Sequence, residues 1–257
     1  MQDILYQKIK HSSTNNFRQL AILIDPDKVD EEGVIRIAEL VNHYRVDYIF
    51  TGGSLITCDF MSTCIQILKE TVHIPVIIFP GNPLQVHAGA DAILLLSLIS
   101  GRNPELLIGN HVIAAPVLKK SGLEILPTGY MLVESGRVTS VVYMSNTTPI
   151  PFDKPDIASC TAMAGEMLGL KLIYMDAGSG ASIPVSPKMI KRVKASIRIP
   201  LIVGGGIRTA IDAAKSWVAG ADIVVVGNAT ESEPSFIAEL CKTRDRLNET
   251  THVRYQS

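Results

Sequence analysis

The residues with chemical potential in this sequence sit where apolar runs end. Leu201-Ile202-Val203 passes into Gly204-Gly205-Gly206-Ile207-Arg208, and one helical pattern later Ile223 to Val226 passes into Gly227-Asn228. Two neighbouring parallel strands that end in this way gather bare main-chain N–H groups and the positive end of a helix dipole around one point, which suits a phosphate. A third cluster, Gly178-Ser179-Gly180, follows the apolar run Leu172 to Met175. Turns that need positive φ select glycine with or without a ligand, so one cluster says little. Three on consecutive strands point to a phosphate cradle.

Tyr174 and Asp176 lie two apart on a strand, so their side chains share a face that points into the mouth where the glycines collect. A carboxylate and a phenol there could grip hydroxyl groups, although Tyr174 reads equally well as a core aromatic. Asp176 demands a partner, because ionisable groups are rarely buried alone. Asp25-Pro26-Asp27-Lys28 follows the first apolar run and Gly52-Gly53-Ser54 the second. A carboxylate oxygen from Asp25 and a hydroxyl from Ser54 suit Mg²⁺ held mainly by substrate phosphate and water. An Asp-Pro turn and a helix cap offer a simpler account of the same stretch, and Asp27 and Lys28 stay open between the two readings.

These positions imply a scaffold that brings strand ends together. Eight candidate strands, Leu20–Ile24, Tyr48–Thr51, Val76–Phe79, Ala92–Leu96, Gly129–Val133, Leu172–Met175, Leu201–Val203 and Ile223–Val226, alternate with helical patterns. The helices are Glu31–His43, Ile56–Thr71, Asn103–Ala114, Ser159–Gly169, Pro187–Ala195, Thr209–Ala219 and Pro234–Leu247. The alternation predicts an α/β fold, a modified (β/α)8 TIM barrel spanning 1–257 as a single domain, and function then belongs at the C-terminal strand ends. Its third βα unit is degenerate, because only Pro83 to His87 stands where a helix should be. The segment Ser135 to Ile157, with Pro149, Pro151, Pro155 and a possible strand at Val138–Met144, is too long for a turn and reads as an active-site cover.

Bulk properties exclude several functions. The 257 residues are 47% hydrophobic but only 5% aromatic, as strands buried on both faces require, and the net charge of −1 lacks the basic excess of a nucleic-acid binder. Cys58, Cys64, Cys160 and Cys241 show no zinc spacing, and the six histidines no ligand pattern, so the thiols are structural and the compartment a reducing cytoplasm. The longest apolar run, Ala92 to Ile99, is far short of the roughly 20 residues that span a bilayer, so no membrane insertion is expected. No lysine lies inside a candidate strand, which weakens Schiff-base chemistry.

In their order and combination, Leu23-Ile24-Asp25-Pro26-Asp27-Lys28, Gly52-Gly53-Ser54, Tyr174 to Gly180, Gly204 to Arg208 and Gly227-Asn228 resemble the geranylgeranylglyceryl phosphate synthase family, which includes the heptaprenylglyceryl phosphate synthases. The resemblance implies a cytoplasmic, Mg²⁺-dependent prenyltransferase that joins a polyprenyl diphosphate to the C3 hydroxyl of sn-glycerol 1-phosphate. It implies metal ligands at Asp25 and Ser54, catalytic roles for Asp176 and Tyr174, and glycerol phosphate binding by Tyr174, Met175, Asp176, Ala177, Gly178, Ser179, Gly180, Gly205, Gly206, Gly227 and Asn228. It also implies a homo-oligomer. Family members commonly carry glutamate at position 176, so the carboxylate here reaches one methylene less far. Leu23-Ile24 is similar to the archaeal and related bacterial branch, which favours a geranylgeranyl donor, its tail lying where the third repeat is shortened. Two alternatives share the cradle: a phosphate-binding barrel isomerase or lyase, and a non-catalytic flavin or prenyl-phosphate binder.

Overall fold

Eight apolar runs become eight parallel strands, β1 (Gln19–Ile24), β2 (Tyr48–Thr51), β3 (Val76–Ile78), β4 (Ala92–Leu98), β5 (Glu124–Leu132), β6 (Leu172–Asp176), β7 (Leu201–Gly204) and β8 (Ile223–Val226). Each pairs with the next, and β8 returns to β1 with Ala21 opposite Val225, which closes the barrel. The structure is a computed structural model that describes residues 3–55, 57, 60–82 and 85–255, without the side chains of 251–255.

Strand alternation sorts the core into two shells. Ala21, Phe50, Ile77, Leu94, Tyr174, Ile202 and Val225 point inward and fill the barrel. Ile22, Ile49, Met175, Val203 and Val224 point outward against the helices. Those helices are α1 (Ile4–Thr14), α2 (Glu31–His43), α3 (Met61–Thr71), α4 (Asn110–Ser121), α5 (Ser140–Ser145), α6 (Pro155–Met167), α7 (Pro187–Lys194), α8 (Ala210–Ala219), α9 (Asn228–Ser232) and α10 (Phe236–Tyr255). Polar residues start several of them: Asp30 accepts from Gly33 N at 2.9 Å, Ser186 from Met189 N, and Thr209 from Asp212 N at 3.1 Å.

The N-terminal ends of the strands are pinned by carboxylates. Asp47, Asp91 and Asp222 accept the amides of Leu20, Val76 and Leu201 at 2.9, 2.8 and 2.7 Å, and each is neutralised by a basic partner, Arg244, Lys69 and Lys194. The helix α1, for which the sequence reading has no counterpart, closes this floor. Its Leu5, Tyr6 and Ile9 join the inner shell, and Glu124 accepts the Leu5 and Tyr6 amides.

The structure moves several expected boundaries. The strand expected at Val138–Met144 is the helix α5, because in a closed barrel every strand edge is already paired; only Val133 and Ile150 form an isolated bridge beside it. The helix α6 starts at Pro155 rather than Ser159, proline being well placed in a first turn where its missing N–H costs nothing. The helix expected at Asn103–Ala114 is a π-helical turn, Glu105–Gly109, continued by α4. Between β3 and β4 the described residues form no helix, as the short spacing requires, while Pro83 lies outside the described residues, as do Ile56, Cys58 and the His252 side chain.

Candidate active site

The three glycine turns meet at the C-terminal mouth of the barrel. Ser179 Oγ donates to Asn228 Oδ1 at 3.0 Å, tying the turn after β6 to the one after β8. Arg208 Nη2 donates to Ala181 O at 2.8 Å, tying the turn after β7 to the same loop. Gly205 adopts φ +80°, and a β-carbon there would stand 2.5 Å from Asp176 Oδ1 and 2.6 Å from Gly178 N. The strained φ and the close approach both require glycine. Among the described residues, the amides of Ser179, Gly180, Gly205 and Gly206 have no protein partner, which leaves four donors at one mouth. The stretch Tyr174 to Gly180, Gly205-Gly206 and Gly227-Asn228 are thus brought together. Met175 and Ala177 contribute main chain only, since their side chains belong to the outer shell.

Asp176 is buried at 6% exposure, with two donors on its carboxylate: Tyr130 OH at 2.5 Å on Oδ2 and Gly178 N at 2.6 Å on Oδ1. Burial raises its pKa above the ordinary carboxylate value, and both hydrogen bonds pull it back. Such a group is poised to take a proton. Burial and the neighbouring Asp176 charge push both the Tyr130 and the Tyr174 phenols well above their usual range, so both stay neutral, and Tyr130 acts as a donor. Tyr174 is 1% exposed, and its hydroxyl stands 2.6 Å from the place a β-carbon of Gly204 would take. It is therefore a core aromatic and a lining of the glycine turn after β7 at once.

Across the mouth, Asp25 already holds a cation. Lys28 Nζ lies 2.8 Å from Asp25 Oδ2, 3.4 Å from Ser179 Oγ and 4.0 Å from Glu231 Oε2. Glu231 also accepts the Asp25 amide at 3.0 Å, and burial raises its pKa. Gly53 allows the turn after β2 to press on this carboxylate, for a β-carbon there would meet Asp25 Oδ1 at 3.0 Å. Ser54 follows, half-buried. No group of three or more His, Cys, Asp or Glu that could hold a metal occurs among the described residues. One carboxylate that binds an ammonium and one nearby hydroxyl fit Mg²⁺, a hard cation that takes most of its oxygens from phosphate and water. Asp27 is resolved differently: its Oδ2 accepts Thr57 N and Oγ1 at 2.7 and 2.8 Å, which is loop architecture.

Beside this mouth, where the third helix is missing, lies a cavity of about 340 Å³ between β4, α4 and α5. Ser54, Phe79 and Tyr130 form its mouth side, while Ile93, Ala114 and Leu118 line it farther along. The segment after β5 packs against the loop after β6. Ser135 O accepts Ser182 N and Ile183 N, the Arg137 guanidinium stands 3.2 Å from a β-carbon position on Gly180, and Thr139 packs on Gly178.

Sequence reasoning gave no role to Tyr130, one pleat below the end of β5, to Phe79, which follows β3, or to Glu231, inside α9, and it left Lys28 open between a site residue and a turn residue. The inward alternation of β5 was the one signal available, since Tyr130 pairs across with Tyr174 and Leu132 with Asp176.

This chain is similar to known proteins. The family model described as the PcrB family matches residues 14–244. A protein of Chitinophaga pinensis named geranylgeranylglyceryl phosphate synthase is 53% identical over 240 residues, covering 93% of this chain and 95% of its own. A Spirosoma linguale protein of the same name is 52% identical over 233 residues, covering 91% and 94%. The crystal structure of (S)-3-O-geranylgeranylglyceryl phosphate synthase from Thermoplasma acidophilum in complex with sn-glycerol-1-phosphate superposes with a TM-score of 0.88 at 32% identity, over 94% of this chain and 98% of that one.

Proposed function

This chain belongs to the PcrB family, and from that premise we propose that it is a prenyltransferase that joins geranylgeranyl diphosphate to the C3 hydroxyl of sn-glycerol 1-phosphate. One observation carries the reading: a single mouth holds a phosphate cradle, a buried carboxylate of raised pKa and the opening of an apolar cavity. An isomerase or a passive binder has no need of the last two together.

In this reading the amides of Ser179, Gly180, Gly205 and Gly206 hold the acceptor's phosphate, and Asn228 with Ser179 fixes the loop that carries them. The cavity between β4 and α4 takes the isoprenoid tail, where each buried methylene is worth about 0.8 kcal/mol, so depth selects length. Asp25 and Ser54 would hold Mg²⁺, which when bound would neutralise charge developing on the departing diphosphate. Asp176 orients the acceptor hydroxyl and receives its proton, while Tyr130 and Gly178 hold the carboxylate in place. The bond between donor C1 and the bridging oxygen breaks, the electron pair leaves with diphosphate, and the acceptor oxygen bonds to C1. Positioning alone supplies several kcal/mol of such a barrier.

A homo-oligomer belongs to this reading, supported by Val112, Ile113 and Val117 of α4, each more than half exposed. So does the cytoplasm, supported by the free thiols of Cys64, Cys160 and Cys241. No helix among the described residues is long and apolar enough to cross a membrane. Incubation with labelled glycerol 1-phosphate, Mg²⁺ and prenyl diphosphates of several lengths tests the whole. An ether product from the geranylgeranyl donor is expected, and no product from any donor would leave only a binding protein.

A further inference from the structure

Three aromatic rings separate the apolar cavity from Asp176. Phe79 stacks on Tyr174 with centroids 5.3 Å apart and 25° between planes, and meets Tyr130 edgewise at 5.8 Å. Tyr130 and Tyr174 are also edgewise, at 5.4 Å. Phe79 and Tyr130 line the cavity with their rings, and Tyr130 reaches Asp176 with its hydroxyl. Any tail seated in the cavity whose first carbon is to meet an oxygen beside Asp176 must therefore pass these rings.

Breaking the C1–O bond of an allylic diphosphate leaves a cation spread over C1 and C3. Among the described lining residues of the cavity there is no Asp, Glu, Lys or Arg. Two carboxylates stand just outside it: Asp25, against Gly53 and paired with Lys28, and Asp176, behind the rings and holding two hydrogen bonds. Between the cavity and Asp176 stand the aromatic rings of Phe79 and Tyr130, and the negative quadrupole of such a ring attracts a cation within about 6 Å of the centroid.

We infer that Phe79 and Tyr130 are catalytic residues whose ring faces stabilise the allylic cation formed from the donor. The inference rests on the transferase reading above and adds that the bond to diphosphate breaks well ahead of ether formation. Diphosphate keeps the electron pair, the rings hold the cation without reacting, and the acceptor hydroxyl then bonds to C1 and passes its proton to Asp176.

The test replaces Phe79 with 4-fluoro-, 3,5-difluoro- and 3,4,5-trifluorophenylalanine, which drain the ring's quadrupole with little change in shape. Single-turnover rates of ether formation by the full chain, with saturating glycerol 1-phosphate, should fall with each added fluorine, by about 2- to 30-fold across the series. The donor's KM should hold steady. A donor fluorinated at C2, whose cation is less stable, should slow every variant. A flat fluorine series, or a C2-fluoro donor that reacts as fast as the parent, would overturn the inference. If the unmodified protein forms no ether at all, the transferase reading fails instead, so the two failures are distinct.

Discussion

Replacing Tyr130 with phenylalanine deletes one oxygen and leaves the ring. That oxygen is the 2.5 Å donor to Asp176 Oδ2, and both groups are buried, so water cannot take its place without rearrangement. Hydrogen bonds to charged groups contribute about 1.5–3 kcal/mol, and losing a donor to the carboxylate disfavours its ionised form. The Asp176 pKa, already raised by burial, must rise further, since only the Gly178 amide is left to oppose it. If Asp176 accepts the proton in its ionised form, kcat falls as pH drops through that pKa. The acid limb of the kcat profile should thus move to higher pH in Tyr130→Phe, and at a fixed pH on that limb kcat should drop about 10- to 150-fold. Initial rates across pH with both substrates saturating measure this. Asp176→Asn is the control: it should abolish the limb together with most of kcat while glycerol phosphate affinity changes far less. Superimposable profiles for wild type and Tyr130→Phe, or a limb displaced to lower pH, would refute the role of this pair.

Asp25→Ala should abolish turnover with an unchanged far-ultraviolet circular dichroism spectrum, and full activity in that variant or in EDTA would defeat the metal assignment. Gly205→Ala places a side chain on a left-handed backbone at about 1–2 kcal/mol and drives it into Asp176, so calorimetry should find weakened glycerol phosphate binding; unaltered binding would put the phosphate elsewhere. Ala114→Phe should shorten the cavity and shift preference from geranylgeranyl to farnesyl diphosphate, read as the product ratio from an equimolar mixture. An unshifted ratio would place the tail outside this cavity.

Much of the molecule was legible in one dimension. Buried strands announce themselves by short β-branched runs, and all eight candidate strands fall where the barrel has strands, because burial on both faces demands the same composition wherever it occurs. The missing third helix was legible as a short spacing. Asp25, Ser54, Asp176 and the three glycine turns could be assigned to one mouth because a barrel sends its strand ends to one face. The segment Val138–Met144 misled because an apolar run reads the same in a strand and in a short helix, and only the closed barrel removes the edge a strand would need.

Local pattern alone therefore determined the barrel, its defective repeat and the side of it that carries chemistry, since these follow from periodicity and from glycine's backbone freedom. Tertiary structure alone decided that Tyr130 meets Asp176, that Lys28 and Glu231 flank Asp25, and that the gap after β3 is a walled cavity closed by α4. Those facts are distances between residues up to 206 positions apart in the chain. They depend on register and closure, which a run of neighbouring side chains does not encode.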